Sequence, residues 1–401
     1  MAATVLVVAG SCGAAIGVLA WRSDDAQGGA AAVATTTTTT APSTTTTAAP
    51  STTTTAPGPA AITLAFGGDV LLHGPVNDQA AAYGAESATP YDYRPMFAPL
   101  AGVVGGADVA LCHMEVPVTP DGRITSYPSF GSPAEVVAGV GSAGYDGCST
   151  ASNHSLDRGF AGVTATLDAF DANGLGHTGT ARSAEEGTTI RTYDVQGVAV
   201  AHLSYAYGFN GYQLPADAPF AANQIDPTRI RADAARAVAG GAQLVVVSLH
   251  FGNEYQHEPS TYQREVVADL LTSRDVGLVI GHHAHVVQPI SRIDQRYVVW
   301  GLGNQLSNQT QAPRTDGLTV VVTAEPGVRG PQHRWVVSGI EAVPTWVDRP
   351  SFHILPVVPA LADPATAAGL RADLLASYDR TVAVALAERP VGVTVAPRPA
   401  G

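Results

Sequence analysis

Short apolar runs that alternate with helical stretches predict an α/β fold built on a substantial β-sheet. Two further observations support this class. A hydrophobic content of 45% with 42 Gly and 28 Pro suits a turn-rich globular chain. Polar residues also cluster just past the apolar runs, where α/β sheets collect their functional side chains.

The runs Ile62–Phe66, Val109–Leu111, Tyr145–Thr150, Leu244–Leu249, Val276–Ile280 and Tyr297–Trp300 read as buried strands. Between them, Pro133–Val140, Gly162–Asn173, Asp226–Ala239 and Glu258–Ser273 read as helices. Asp226-Pro227 supplies an N-cap and a first-turn proline. Leu318–Val322 and Arg334–Val347 read as antiparallel strands. Asp363-Pro364 repeats the cap signal ahead of an Ala- and Leu-rich segment, so a helix or pair of helices is expected over Asp363–Leu386.

Composition excludes some functions. Charged residues make up only 14% of the 401, too few for a solvated disordered chain. The 21 basic residues are all arginine, they form no cluster, and the net charge is -13, so a nucleic-acid partner is excluded. Three cysteines are too few for a disulfide scaffold. Cys112 and Cys148 each lie near a strand end; pairing in an oxidising compartment and two buried thiols both fit.

Four segments are expected. Residues 1–22 are apolar as far as Trp21, about the length that spans a bilayer, and read as a membrane anchor or signal segment. Cys12 in Ala-Gly-Ser-Cys makes a lipoprotein, or a secreted protein, the alternative. Residues 23–60 are nearly all Thr, Ala, Pro, Ser and Gly and read as a disordered tether. Residues 61–360 form the main domain and 361–401 a helical segment and tail. The anchor and stalk together place the folded part outside the membrane.

Each strand end carries polar residues. In order these are Gly67-Gly68-Asp69, Cys112-His113-Met114-Glu115, Ser152-Asn153-His154 with Asp157, His250 with Glu254, Gly281-His282-His283-Ala284-His285, and Gly303-Asn304. Taken singly, Asp69 suits a turn, Asn153 a helix cap and His250 a core histidine. Three histidines in four residues are hard to explain by packing. Imidazoles and carboxylates from six strand ends are the ligand set of a dinuclear Zn, Mn or Fe site, which lowers the pKa of water and clamps a phosphoryl group. Hydrolysis of a phosphoester is the reaction class that follows.

These segments resemble, in the same order, the signature of CapA-type capsule synthesis proteins linked to poly-γ-glutamate, over about Ile62 to Val358. That family resembles calcineurin-like metallophosphoesterases. The resemblance implies a four-layer sandwich with two central mixed β-sheets flanked by helices. It also implies two divalent ions, with Asp69, Glu115, Asn153, His250, His283 and His285 as ligands and His282 as a possible substitute. His154 would protonate the leaving group or steady the phosphoryl oxygens, with Asn153 beside it. Glu254 and Asn304 would line the pocket without necessarily touching metal.

Departures from the pattern are clear. The wider superfamily opens with Asp-x-His, whereas Val70 and Leu71 follow Asp69. The second motif usually has Asn two residues before Glu; here His113 stands. Phe251 and Ala284 replace the usual Trp and Pro.

Two functions compete. One is an extracytoplasmic metal-dependent phosphoesterase acting on an envelope or polymer-linked phosphate. The other is a non-catalytic polymer-binding or export subunit working with membrane-bound synthase subunits. A cleft for polyanions needs arginines, for which Arg158 is the candidate, with Asp157 its alternative structural partner.

Overall fold

A computed structural model describes residues 60–329 and 332–399. The expected anchor over 1–22 and all but the last residue of the tether over 23–60 lie outside them. Among the described residues, no helix is long and apolar enough to cross a membrane.

In chain order the first elements are β1 (Ile62–Val70), α1 (Gly74–Ser87), the single-turn helices α2 (Arg94–Phe97) and α3 (Ala101–Val104), β2 (Val109–Met114), α4 (Glu135–Ser142) and β3 (Gly147–Ser149). Next come α5 (Gly159–Ala172), β4 (Gly176–Thr178), β5 (Arg191–Val195), β6 (Val198–Ala206), α6 (Pro227–Ala239), β7 (Leu244–His250), α7 (Thr261–Leu270) and β8 (Leu278–His282). The rest are β9 (Ile290–Ile293), β10 (Arg296–Val299), β11 (Asn304–Leu306), β12 (Asp316–Arg329), β13 (Gln332–Val347), β14 (Ile354–Pro356), α8 (Val357–Ala362), α9 (Ala368–Ala385) and β15 (Val393–Val395).

The strands form two mixed sheets. The larger runs β14-β13-β12-β1-β2-β3-β4, with β11 beside β1 and β15 beside β13. Its β1 to β4 are parallel, and β12 to β14 are antiparallel. The smaller runs β5-β6-β7-β8-β10-β9, parallel from β6 to β10 with antiparallel edges.

Side-chain alternation along each strand sets the layers. Ile62, Leu64 and Phe66 of β1 and Leu111 of β2 pack against Val246 of β7, Ile280 of β8 and Val299 of β10, closing an apolar layer between the sheets. The opposite faces take helices. Ala65 and Ala110 meet Val76, Val136 and Phe170, while Val245, Val247 and Val279 meet Ile230, Val266 and Leu270. Helix, sheet, sheet and helix make the four-layer sandwich that the resemblance implied. Each fully buried Val, Leu or Ile contributes roughly 1.5–3 kcal/mol to this stack.

Local signals explain several boundaries. Asp226 caps α6 as expected, accepting from the Thr228 and Arg229 amides at 2.9 and 3.4 Å. Helix α7 starts three residues later than the expected Glu258, because Ser260 and Gln263 form a capping box. Asp363 does not cap the long C-terminal helix. It follows α8, its carboxylate takes the Ala365 amide at 2.8 Å, and α9 begins at Ala368. Cys112 and Cys148, left open between a pair and two thiols, are register partners on β2 and β3 with Cα atoms 4.4 Å apart, joined as a disulfide.

Backbone approaches fix the strand ends that matter. At Gly68 a Cβ would overlap the Gly303 carbonyl, and Asp69 donates its amide to that same carbonyl at 2.9 Å. At Gly281 a Cβ would overlap the Trp300 carbonyl, so the end of β8 can lie against the chain leaving β10 only because that residue is glycine. Gly281→Ala should therefore cost at least about 2 kcal/mol in urea denaturation; a loss under about 0.5 kcal/mol would show that this approach does not position β8.

Candidate metal centre

The carboxyl ends of β1, β2, β7 and β8 converge. Asp69 is the register partner of His113 across β1 and β2, and His250 of His282 across β7 and β8. A register shift between Phe66 and Asp69 separates the packed part of β1 from its site-bearing end. Sequence reasoning placed His282 after its strand; it is the last residue of β8.

Asp69 has no exposed surface. Its carboxylate lies 3.2 Å from Nδ1 of His282, 3.2 Å from Nδ1 of His285 and 3.2 Å from the His283 amide. Burial alone would raise its pKa, but these imidazole contacts hold it well below the carboxylate range. Glu115 behaves differently. Burial pushes it up to about 7, and its Oε1 lies 3.6 Å from His285 Nε2 and 4.0 Å from His250 Nε2. Burial would lower His285, yet the Glu115 and Asp69 carboxylates outweigh it and raise the ring to about 9. Burial keeps His250 and His113 well below the usual histidine range and His283 near 4, so these three rings are neutral, and His250 and His283 can act as ligands.

Asn153 faces His250, with Oδ1 2.9 Å from Nε2. Asn304, on β11 and in register with Asp69, touches His285 Nδ1 through Oδ1 at 3.0 Å and so orients that ring. His283 and His285 both have left-handed backbones, φ 87° and 54°, a conformation that costs non-glycine residues of order 1–3 kcal/mol and clusters at functional sites.

The residues fit divalent cations. Asp69, Glu115 and His285 each place a ligand atom within 4.8 Å of the others, and so do Glu254, His283 and His285, and Asp69, His113 and His282. Both Glu115 carboxylate oxygens and His283 Nδ1 are buried without a hydrogen-bond partner among the described residues. Each such group costs roughly 1–3 kcal/mol, a cost that a coordinated cation removes.

His154 lies beside the centre, its Nδ1 2.7 Å from Asp157 and its ring 4.7 Å edge-on to Phe130. Asp157 thus pairs with His154 and the Phe130 amide rather than with Arg158. Arg158 does not supply the expected cation of the cleft. It turns to the loop after Pro117, donating to the Arg123 carbonyl at 3.5 Å, and its charge acts on Asp121.

Sequence reasoning missed three contributors. Tyr207 follows β6 and covers His283 at 4.7 Å between ring centroids, and Asn210 meets Asn153 and His154 at 3.2 and 3.3 Å. The alternation in Val198-Ala-Val-Ala-His-Leu-Ser-Tyr-Ala was the available signal for β6. Arg314 is the third. Its guanidinium sits 4.0 Å over Tyr255, whose ring is 6.1 Å from His285, and it has no carboxylate partner among the described residues.

Fold and site together define a two-sheet α/β protein with a buried Asp, Glu, Asn and His centre suited to divalent cations. Residues 63–309 match the family described as "Bacterial capsule synthesis protein PGA_cap", and the chain belongs to that family. It is 29% identical over 178 residues to the capsule biosynthesis protein CapA of Bacillus anthracis, covering 44% of this chain and 43% of that one. Against the PGA biosynthesis protein CapA of Bacillus subtilis it is 29% identical over 170 residues, 40% of this chain and 42% of the other. The chain thus spans less than half the length of these curated relatives. Among solved structures, it is similar to the calcineurin-like phosphoesterase YfkN of Bacillus subtilis at 12% identity and a TM-score of 0.40, covering 71% of this chain and 90% of that one.

Ligation requires the Glu115 and His285 protons to leave, so ion affinity must rise with pH through the values these groups take without metal. Chelator competition with Mn or Zn should show binding roughly tenfold or more tighter at pH 8 than at pH 6; an affinity flat across that range would contradict the ligand assignment.

Proposed function

We propose that this protein is a membrane-anchored, extracytoplasmic phosphoesterase of capsule or poly-γ-glutamate assembly that hydrolyses a phosphoester of the envelope or of its polymer. The observation that carries the reading is the buried convergence of Asp69, Glu115, Asn153, His250, His283 and His285 with both Glu115 oxygens unpartnered. These residues, with His282 buried beside Asp69 and Glu254 at the exposed edge, would hold two divalent ions, Mn, Zn or Fe. Such ions supply Lewis-acid polarisation of the phosphoryl group and a lowered pKa for water.

The remaining chemistry belongs to the chain's own side chains. His154 gives its Nδ1–H to Asp157, which fixes the ring with Nε2 free; when the ring carries its second proton on Nε2, that proton passes to the departing oxygen. Tyr207 covers the His250 and His283 rings and excludes water from that side. Arg314, held flat by Tyr255 with all its donors free of carboxylates, binds the anionic part of the substrate. The membrane reading rests on the apolar residues 1–22 and the stalk over 23–60, and the partners it suggests are membrane-bound synthase subunits.

A panel of aryl phosphomonoesters and phosphodiesters tests this reading on the metal-loaded full chain. His154→Ala should lose at least about a hundredfold in kcat while keeping its metal, and Arg314→Gln should raise KM severalfold. Absence of hydrolysis by the loaded wild type across the panel would favour the non-catalytic polymer-binding role. Loss of metal in His154→Ala would move His154 into the ligand set.

A further inference from the structure

Below the ligand set lies a second row of contacts that the metal centre does not use. His113 on β2 is 1% exposed, and both its nitrogens are engaged. Nδ1 lies 2.8 Å from Ser149 Oγ, and Nε2 lies 2.9 Å from His250 Nδ1. Ser149 in turn donates its hydroxyl proton to the Cys112 carbonyl at 3.3 Å.

Two proton arrangements satisfy this chain of contacts, running in opposite directions, and only one leaves a lone pair on His250 Nε2 for an ion. In that one the Cys112 carbonyl receives the Ser149 proton, so toward His113 the hydroxyl oxygen accepts and His113 Nδ1 donates. A neutral imidazole has one N–H, which leaves a lone pair on His113 Nε2. The 2.9 Å contact to His250 is then a bond donated by His250 Nδ1–H. His250 therefore carries its own lone pair on Nε2, 2.9 Å from the carbonyl oxygen of Asn153. Two acceptors at that distance repel each other unless both are ligands of one cation.

We propose that His113 is a positioning residue that fixes the tautomer of His250, turning the Nε2 lone pair of His250 toward the ion it shares with Asn153. This rests on the reading of the site as a metal centre. His113 also comes within ligand reach of Asp69 and His282, but with Nδ1 held by Ser149 and Nε2 by His250 it has no lone pair left for an ion. A ring N–H donated to a buried acceptor orients a metal-bound histidine and raises its basicity, and losing such a partner costs 10- to 100-fold in metal affinity.

The test uses the full chain, with Mn and Zn as probes in chelator competition. His113→Gln places Oε1 near the site of Nε2, keeps an acceptor for His250, and should stay within about threefold of wild type. His113→Met has similar bulk but no acceptor there and should bind 10- to 100-fold more weakly. Melting of the metal-free variants checks that both fold. Equal affinity of His113→Met and wild type overturns the proposal. So does equal weakness of the Gln and Met variants, which would assign the effect to packing. A wild type that binds neither ion overturns the metal-centre reading itself, a separate failure. Should a variant not fold, 15N spectra of the histidines in the Zn-loaded wild type decide instead: a bare Nε2 on His113 facing a protonated Nδ1 on His250 is expected, and a proton on His113 Nε2 overturns the proposal.

Discussion

A carboxylate with no access to water is the constraint on which this molecule turns. Asp69 stands fully buried where the ends of the two sheets meet, and a buried unpaired charge is prohibitively costly. It persists because β1 of one sheet presents it directly to His282, His283 and His285 from the other. That meeting requires the apolar layer between Ile62, Leu64 and Phe66 on one side and Val246, Ile280 and Val299 on the other. Packing between the sheets thus fixes the distance at which acid and imidazole face each other, and the centre in turn joins the two sheets at that end.

Around that contact the groups divide by how burial acts on them. Asp69 stays ionised through its histidine contacts, Glu115 is pushed upward by burial, and His250 and His283 are kept neutral. A cation is the one addition that stabilises all of these at once, neutralising two carboxylates and taking up the lone pairs of neutral rings. The left-handed backbones of His283 and His285 belong to the same economy of structure: strain at two adjacent ligands persists where neighbouring elements hold them, here Asn304 on β11 and the close approach at Gly281.

Much of this was legible in the sequence, for physical reasons. Buried parallel strands are continuous apolar runs, so β1, β7 and β10 stood out, and polar residues just past such runs had to be either costly or functional. The cap at Asp226 was legible because it is local chemistry. What escaped depends on contacts between distant segments. Arg158 is near the Asn-His motif in sequence, yet its side chain is drawn to the Arg123 carbonyl. Asp157 chose His154, and Asp363 became a turn residue between two helices. Strand β6 alternates Val and Ala too weakly to stand out, and with it Tyr207 and Asn210 went unseen. Nor could the sequence show that His113 touches His250, 137 residues away.

On the proposed reading, Asp69, Glu115, Asn153, His250, His283 and His285 form one cation-binding centre. Anomalous diffraction from crystals of the full chain grown with Mn, recorded at the Mn absorption edge, tests it most directly. Anomalous density bounded by Asp69, Glu115, Asn153, His250, His283 and His285 is the expected result. Mn bound in the crystal with no density there, or with density only elsewhere, would contradict it.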